Sequence, residues 1–219
     1  ELSSKLLEIQ KKPGINNYVV TEDDNVNFIK SFFRIHGFED NETEYISYSG
    51  CDTIGSAIVI GKYIKKINED AIIVIHRDRD YLTDEEIEDS REKVESKGFR
   101  FFTTNGVDIE SNFINSYHIN ALYPQLEISQ IESIIDESTN ETERDSLDRL
   151  LKRYATRKIS GIELIDMYNA NKERFRYGKK VFGRIKGKIQ PLIGQNPDFL
   201  RESDFIKIEN LIITRELTE

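Results

Sequence analysis

The sequence predicts an α/β protein: a mostly parallel sheet flanked by helices, continued by a helical extension. Two observations carry this. Short runs rich in β-branched residues alternate with helix-period segments as far as residue 118, after which only helix-period segments follow. The clearest run, Ala71-Ile72-Ile73-Val74-Ile75, is apolar on both faces, as a strand covered on both sides must be.

Residues 1–12 predict a helix with Leu2, Leu6, Leu7 and Ile9 on one stripe, stopped by Pro13-Gly14. The chain begins at Glu1 and not at a methionine, which reads as a fragment of a longer protein. Asn17 to Thr21 is a short buried strand, followed by the acidic cluster Glu22-Asp23-Asp24-Asn25. Val26, Phe28, Ile29, Phe32, Phe33 and Ile35 line the next helix, which His36 closes and Gly37 terminates. Glu44 to Ser49 is a second strand, Gly50-Cys51-Asp52 a turn, and Thr53 to Lys66 a helix with Asp52 or Thr53 as its cap. The third strand spans residues 71–76. Thr83-Asp84-Glu85-Glu86 has capping-box spacing and opens a charged helix with Ile87 and Val94 turned inward, ended by Gly98. Phe99 to Thr104 is the fourth strand, and Val107 to Ile114 starts another helix.

Later helices are predicted over Ile128 to Glu137, Glu141 to Arg157, Ile159 to Arg174 and Lys179 to Ile193, with Pro191 and Gly194 at the last end. For Phe205 to Ile213 periodicity does not choose between helix and strand. The organisation read from this pattern is a connector over 1–14, an α/β domain over 15–118 and a helical extension over 119–219.

A formal net charge of -9 argues against simple electrostatic capture of nucleic acid. The distribution is uneven, however. Residues 172–190 hold eight Lys and Arg against the single acid Glu173. The lone Cys51 excludes an intrachain disulfide, and its position makes it a turn residue. No Cys/His set has zinc spacing, which fits a reducing, cytoplasmic setting. No apolar run is long enough to span a bilayer and no secretory signal opens the chain.

Acids stand at three strand ends: Glu22, then Asp78 and Asp80, then Asp108 and Glu110. Side chains two apart on an extended chain point the same way, so Asp78 and Asp80 are expected to present their carboxylates together. Open α/β sheets bind ligands at that edge, and neighbouring strands lie about 4.8 Å apart. Converging carboxylates repel unless an oxygen-loving cation joins them; Mg²⁺ is expected, with Mn²⁺ as a substitute. Two such ions about 3.5 to 4 Å apart would activate a water and stabilise the leaving oxygen in phosphodiester cleavage. Arg77 and Arg79 are placed to bind phosphate, and Lys180, Arg184, Lys186 and Lys188 to track a nucleic-acid backbone. His76 sits beside the carboxylates as a supporting group.

Thr21-Glu22-Asp23-Asp24, His76-Arg77-Asp78-Arg79-Asp80 and Asp108-Ile109-Glu110-Ser111, in that order, resemble the Glu, Asp-x-Asp and late Glu motifs of a TOPRIM domain. The variant is similar to that of the OLD (overcoming lysogenization defect) family of ATPase-associated nucleases, and the resemblance covers residues 15–118. It implies a metal-dependent DNA endonuclease or nickase, the effector part of an antiphage ATPase-nuclease. Glu22, Asp78, Asp80 and Glu110 would ligate two metals, Asp108 is a further candidate, and Lys179, after Gly178, would be the basic catalytic residue. Val26 stands where such nucleases often carry a second acid, so either Asp23 or Asp24 takes over or one metal site is weaker.

The resemblance also implies an ABC-type ATPase, in the same full-length chain or in a partner. No G-x-x-x-x-G-K-[ST] loop occurs here. A homo-oligomer is compatible with this reading. Two alternatives stay open: a catalytically degenerate TOPRIM module that assembles with an ATPase, and a primase-like TOPRIM enzyme.

Overall fold

Residues 2–49, 53–157 and 159–213 are described by a computed structural model. Four strands, β1 (Asn17–Thr21), β2 (Thr43–Ser47), β3 (Ile72–Arg77) and β4 (Arg100–Thr103), pair in parallel in the order β2-β1-β3-β4. The fold is therefore α/β with an all-parallel sheet, as the alternating pattern predicts. The chain divides into two compact units, neither of them one continuous stretch.

The first unit comprises Glu1–Arg77, Thr83–Thr103 and Lys207–Glu219. It holds the sheet with α1 (Leu2–Glu8), α2 (Asn27–Arg34), α3 (Ile54–Ile67) and α4 (Asp84–Glu95). Every residue of β1 is buried, and Ile73, Val74 and Ile75 of β3 are at most 3 % exposed, because inner strands of a parallel sheet have no solvent face. The edge strand β2 is mostly half-buried. Phe32 of α2 stacks on Phe102 of β4 at 4.9 Å between centroids. Thr83 and Glu86 close the predicted capping box on α4, and Gly98, at φ 76°, ends that helix in the left-handed region that a side chain disfavours.

His36 lies just beyond α2, as predicted for a helix end. Its Nδ1–H donates to Phe32 O at 2.7 Å and its Nε2 accepts from Ile208 N–H at 2.8 Å. The later segment is thereby strapped to α2, and Ile213 N–H adds a bond to His36 O at 3.0 Å. This segment, left undecided by periodicity, contains two short 3₁₀ turns, Asp204–Ile206 and Glu209–Leu211.

The strand order sets a switch point. From β1 the chain steps to β2 on one side, and from β2 it crosses to β3 on the other side of β1. Connections diverge from the C-terminal ends of β1 and β3, where open α/β sheets form their ligand crevice. The register places Thr21 opposite both Ser47 and His76 in the last row of paired residues there.

The second unit comprises Asp78–Leu82 and Thr104–Ile206. It contains α5 (Ser116–Leu122), α6 (Ile128–Glu141), α7 (Glu143–Tyr154), α8 (Gly161–Ala170), α9 (Lys172–Phe175) and α10 (Gly178–Ile193). Tyr81, Val107, Leu150, Tyr154, Leu164 and Tyr168 form one core cluster within it.

The helix predicted over residues 1–12 ends at Glu8, well before Pro13, and two later helix expectations also change. Residues 107–114 do not open a long helix: Asp108 caps a 3₁₀ turn over Ile109–Phe113, and Asn115 caps α5 separately. The helix predicted over Ile159 to Arg174 is split at Asn171, which leaves helical geometry and accepts from Arg174 N–H to cap α9. Asn makes such local bonds readily. The readings of Cys51 and Asp52 fall outside the described residues. Among the described residues no helix is long and apolar enough to cross a membrane.

Candidate metal centre

At the end of β1 the acidic cluster separates into different roles. Asp24 accepts from Ser47 Oγ at 3.0 Å and Ser49 Oγ at 2.9 Å, bonds that hold its carboxyl below the usual range. Asp23 turns the other way. Its N–H donates to Thr21 Oγ1 at 3.1 Å, and its Oδ2 lies 4.0 Å from His76 Nδ1. That oxygen is buried without a hydrogen-bond partner among the described residues. Glu22 is half-buried. Of the two acids that could take over from the missing one at Val26, Asp23 lies beside His76 and Asp24 is bonded to Ser47 and Ser49 at the end of β2.

His76 is fully buried, packs against Phe102 with centroids 5.3 Å apart, and shares a 2.9 Å hydrogen bond between Nδ1 and Thr21 Oγ1. Burial pushes its pKa down, against the opposing pull of Asp23 and Glu22. A neutral imidazole is the form that binds metals. His76, Asp78 and Asp23 offer ligand atoms that all lie within 4.8 Å of one another. This largely buried Asp-His-Asp group could hold a metal ion: its donors are two carboxylates and an imidazole, and one carboxylate oxygen is orphaned. His76 is thus a member of the group as well as its neighbour. The sequence signal for it was its place two residues before Asp78.

Asp78 is buried, 7 % exposed, whereas Asp80 is exposed. The extended geometry expected to align them ends with β3 at Arg77, and Asp80 has φ 47°. Aspartate tolerates that left-handed conformation better than most residues. Here it is fixed by Asp80 N–H donating to Val107 O at 2.7 Å and by Arg174 Nη1 donating to Asp80 O at 3.1 Å. Arg79 N–H donates to Thr104 Oγ1 at 3.0 Å, so residues 78–82 are laced to the loop that carries the late acids.

In that loop Asp108 is 3 % exposed and both its oxygens accept hydrogen bonds. Oδ1 takes Ser111 N–H at 3.2 Å and Ser111 Oγ–H at 2.9 Å; Oδ2 takes Lys179 N–H at 2.9 Å. One carboxylate therefore caps a 3₁₀ turn and the first turn of α10, whose own cap residue, Tyr177, offers no side-chain bond. These bonds oppose the rise in pKa that burial imposes. A Cβ at Gly178 would collide with the Asp108 carboxylate and with Ser111 Oγ. Gly178→Ala is accordingly expected to cost about 1 to 3 kcal/mol, read as a lowered urea midpoint.

Glu110 is 7 % exposed, and its Oε2 has no hydrogen-bond partner among the described residues. Burial, with the charges of Asp108 and Asp78 adding to it, pushes its carboxyl up to about 8, while Lys179 pulls it back. A carboxylate in this setting takes either a proton or a cation. Lys179 itself is exposed.

The basic segment makes many contacts within the second unit. Lys188 Nζ lies 2.8 Å from Glu141 and 3.1 Å from Glu137 of α6, and Arg184 is 3.9 Å from Glu141. Arg174 donates to Leu82 O, and Arg176 is buried on Ile114 O. Lys186 sits over the Phe182 ring at 5.9 Å, and Lys180 is exposed. Arg77, in the first unit, donates to Ser90 Oγ of α4 at 3.3 Å. Half of the residues expected to track a nucleic-acid backbone thus already have partners that a phosphate would have to displace. No protein-family model, curated protein or solved structure matches this chain.

Proposed function

We propose that the chain is a divalent-metal-dependent phosphodiesterase that nicks or cleaves DNA, of the TOPRIM type found in OLD-like ATPase-associated nucleases. The observation that carries this reading is the Asp23, His76 and Asp78 group at the sheet's switch point. Glu22 on the β1 side and Asp80, Asp108 and Glu110 in the motif order support it. A bound divalent ion would supply a Lewis acid for the phosphoryl oxygen and lower the pKa of an attacking water. Asp23, His76 and Asp78 would hold it, and Glu110, whose Oε2 has no hydrogen-bond partner among the described residues, would serve a second ion. Lys179 would offset phosphate charge near Glu110. Because one donor is an imidazole nitrogen, Mn²⁺ is expected to be held more tightly than Mg²⁺. The proposed setting is cytoplasmic, with an ABC-type ATPase in the same full-length chain or as a partner.

The test is nicking of supercoiled plasmid by the full chain with Mn²⁺, with Mg²⁺ and with EDTA. Activity is expected with Mn²⁺, less with Mg²⁺ and none with EDTA, and Glu22→Ala should lose it. Equal nicking in EDTA, or by Glu22→Ala, would reject the assignment. The assembly-module alternative draws on Leu151, Ile159, Ile162 and Ile165, apolar residues exposed in and around α7 and α8. Absence of Mn²⁺ binding by calorimetry would favour it.

A further inference from the structure

The second unit contains a cavity of about 610 Å³ bordered by the start of α5, by α6 and by α9 with the residue after it. That volume lies within the range of small-ligand pockets, roughly 300 to 1,000 Å³. Two of its lining side chains are buried with polar atoms left over. Arg176 is 6 % exposed; its Nη2 donates to Ile114 O at 3.1 Å, but its Nε has no partner among the described residues. Glu173 lies 3.9 Å from the Arg176 Nη2 on a side chain that is 82 % exposed, and the charges of Asp108 and Asp136 also act on Arg176. Thr139, 4 % exposed, has an Oγ1 without a partner. A buried guanidinium with an unused N–H gains from an anion more than an exposed one does.

The remaining wall adds complementary groups. Lys172 lines the cavity with its Nζ 2.9 Å from Asn140 Oδ1 and 3.5 Å from Glu143, which a phosphate would have to displace, and Asp136 and Glu132 on α6 supply carboxylate acceptors. Tyr117, 52 % exposed, also lines it and stacks on Phe205 at 5.8 Å with ring planes 27° apart. Phe205 is itself 54 % exposed. An exposed pair of stacked aromatic rings gains nothing from an anion, but it offers a face to a planar ring.

We infer that this cavity binds a nucleoside phosphate, with the phosphate on Arg176 and Lys172, the base against the Tyr117–Phe205 pair, and Asp136 accepting hydrogen bonds from base or sugar. A free nucleotide and the terminal nucleotide of a nucleic-acid strand present the same chemistry. The inference uses no metal ligand and stands apart from the nuclease reading.

The test titrates the full chain, in EDTA, with each of the four common nucleoside monophosphates by isothermal calorimetry, and in parallel with adenosine and with inorganic phosphate. At least one monophosphate is expected to bind below about millimolar Kd, and at least about tenfold more tightly than either fragment. Tyr117→Ala and Lys172→Met, both at the surface, should each weaken it roughly tenfold with the circular dichroism unchanged. Displacement of the monophosphate by a 5′-phosphorylated single-stranded oligonucleotide would identify a strand end as the source; no displacement would identify the free nucleotide. No binding by any monophosphate, equal binding of phosphate alone, or unchanged affinity in both variants would overturn the inference. Since metal is absent throughout, none of these results depends on whether the chain cleaves DNA.

Discussion

Asp78→Asn is expected to reduce Mn²⁺-dependent plasmid nicking by more than the roughly 10- to 100-fold lost when a residue merely supporting a metal ligand is removed. Asp78 is buried just beyond β3 and belongs to the group with Asp23 and His76. The substitution keeps size and burial but removes a charge that the cation requires. Asp24→Asn is the matched control. Its carboxylate is bound by Ser47 and Ser49, and an asparagine oxygen can still accept one of those bonds, so most activity should remain. Thermal melting separates binding from chemistry: Mn²⁺ should raise the melting temperature of the wild type and of Asp24→Asn, but not of Asp78→Asn. Wild-type nicking by Asp78→Asn would remove Asp78 from the site.

The second large effect is on stability against pH in the absence of metal. Glu110 titrates near 8 in the folded chain and near 4.5 when unfolded. Between those values the folded chain holds a proton that the unfolded chain has released, so stability falls as pH rises through the window. The part between pH 6.5 and 8 amounts to about 2 kcal/mol. The histidines act in the opposite sense. His36, His76 and His118 are all buried with depressed pKa values, so below about 6.5 the unfolded chain takes up protons that the folded chain refuses. Stability should therefore fall as pH rises through the Glu110 window and also fall on acidification, as the unfolded histidines take up protons. Urea midpoints measured across pH in EDTA should show the alkaline decline in the wild type and lose it in Glu110→Gln. Saturating Mn²⁺ should flatten it as well, because the ion favours the ionised carboxylate. An identical alkaline slope in Glu110→Gln would place the titrating group elsewhere.

The strands and their parallel pairing were legible because β1 and β3 are buried on both faces, and an unbroken apolar run has few other uses. The two-faced burial also made the charges after Ile75 conspicuous. The sorting of Asp23 from Asp24 was not legible, since it depends on Ser47 and Ser49, residues that only strand pairing brings alongside β1. Nor was the role of Asp108. Its capping of α10 links positions 108 and 179, and no local pattern reports a bond across such a separation. The alignment of Asp78 with Asp80 assumed that extended backbone continues past the strand as far as residue 80, whereas β3 ends at Arg77 and Asp80 turns left-handed. For the basic segment, composition registered the charges but not the α6 acids that meet Lys188 and Arg184.

The bond from Ile208 N–H to His36 Nε2 joins residues 172 positions apart. Contacts of such span return nothing until the entropy of closing the loop has been met, whereas the strand pairs between residues 17 and 103 close shorter loops. Loop-closure entropy alone therefore predicts that the strap forms after the strand pairs, an order that hydrogen exchange at Ile208 N–H against the β1 amides would check. Protonation of His36 would remove its Nε2 as an acceptor and with it the bond from Ile208 N–H, a step that burial opposes by holding the His36 pKa down.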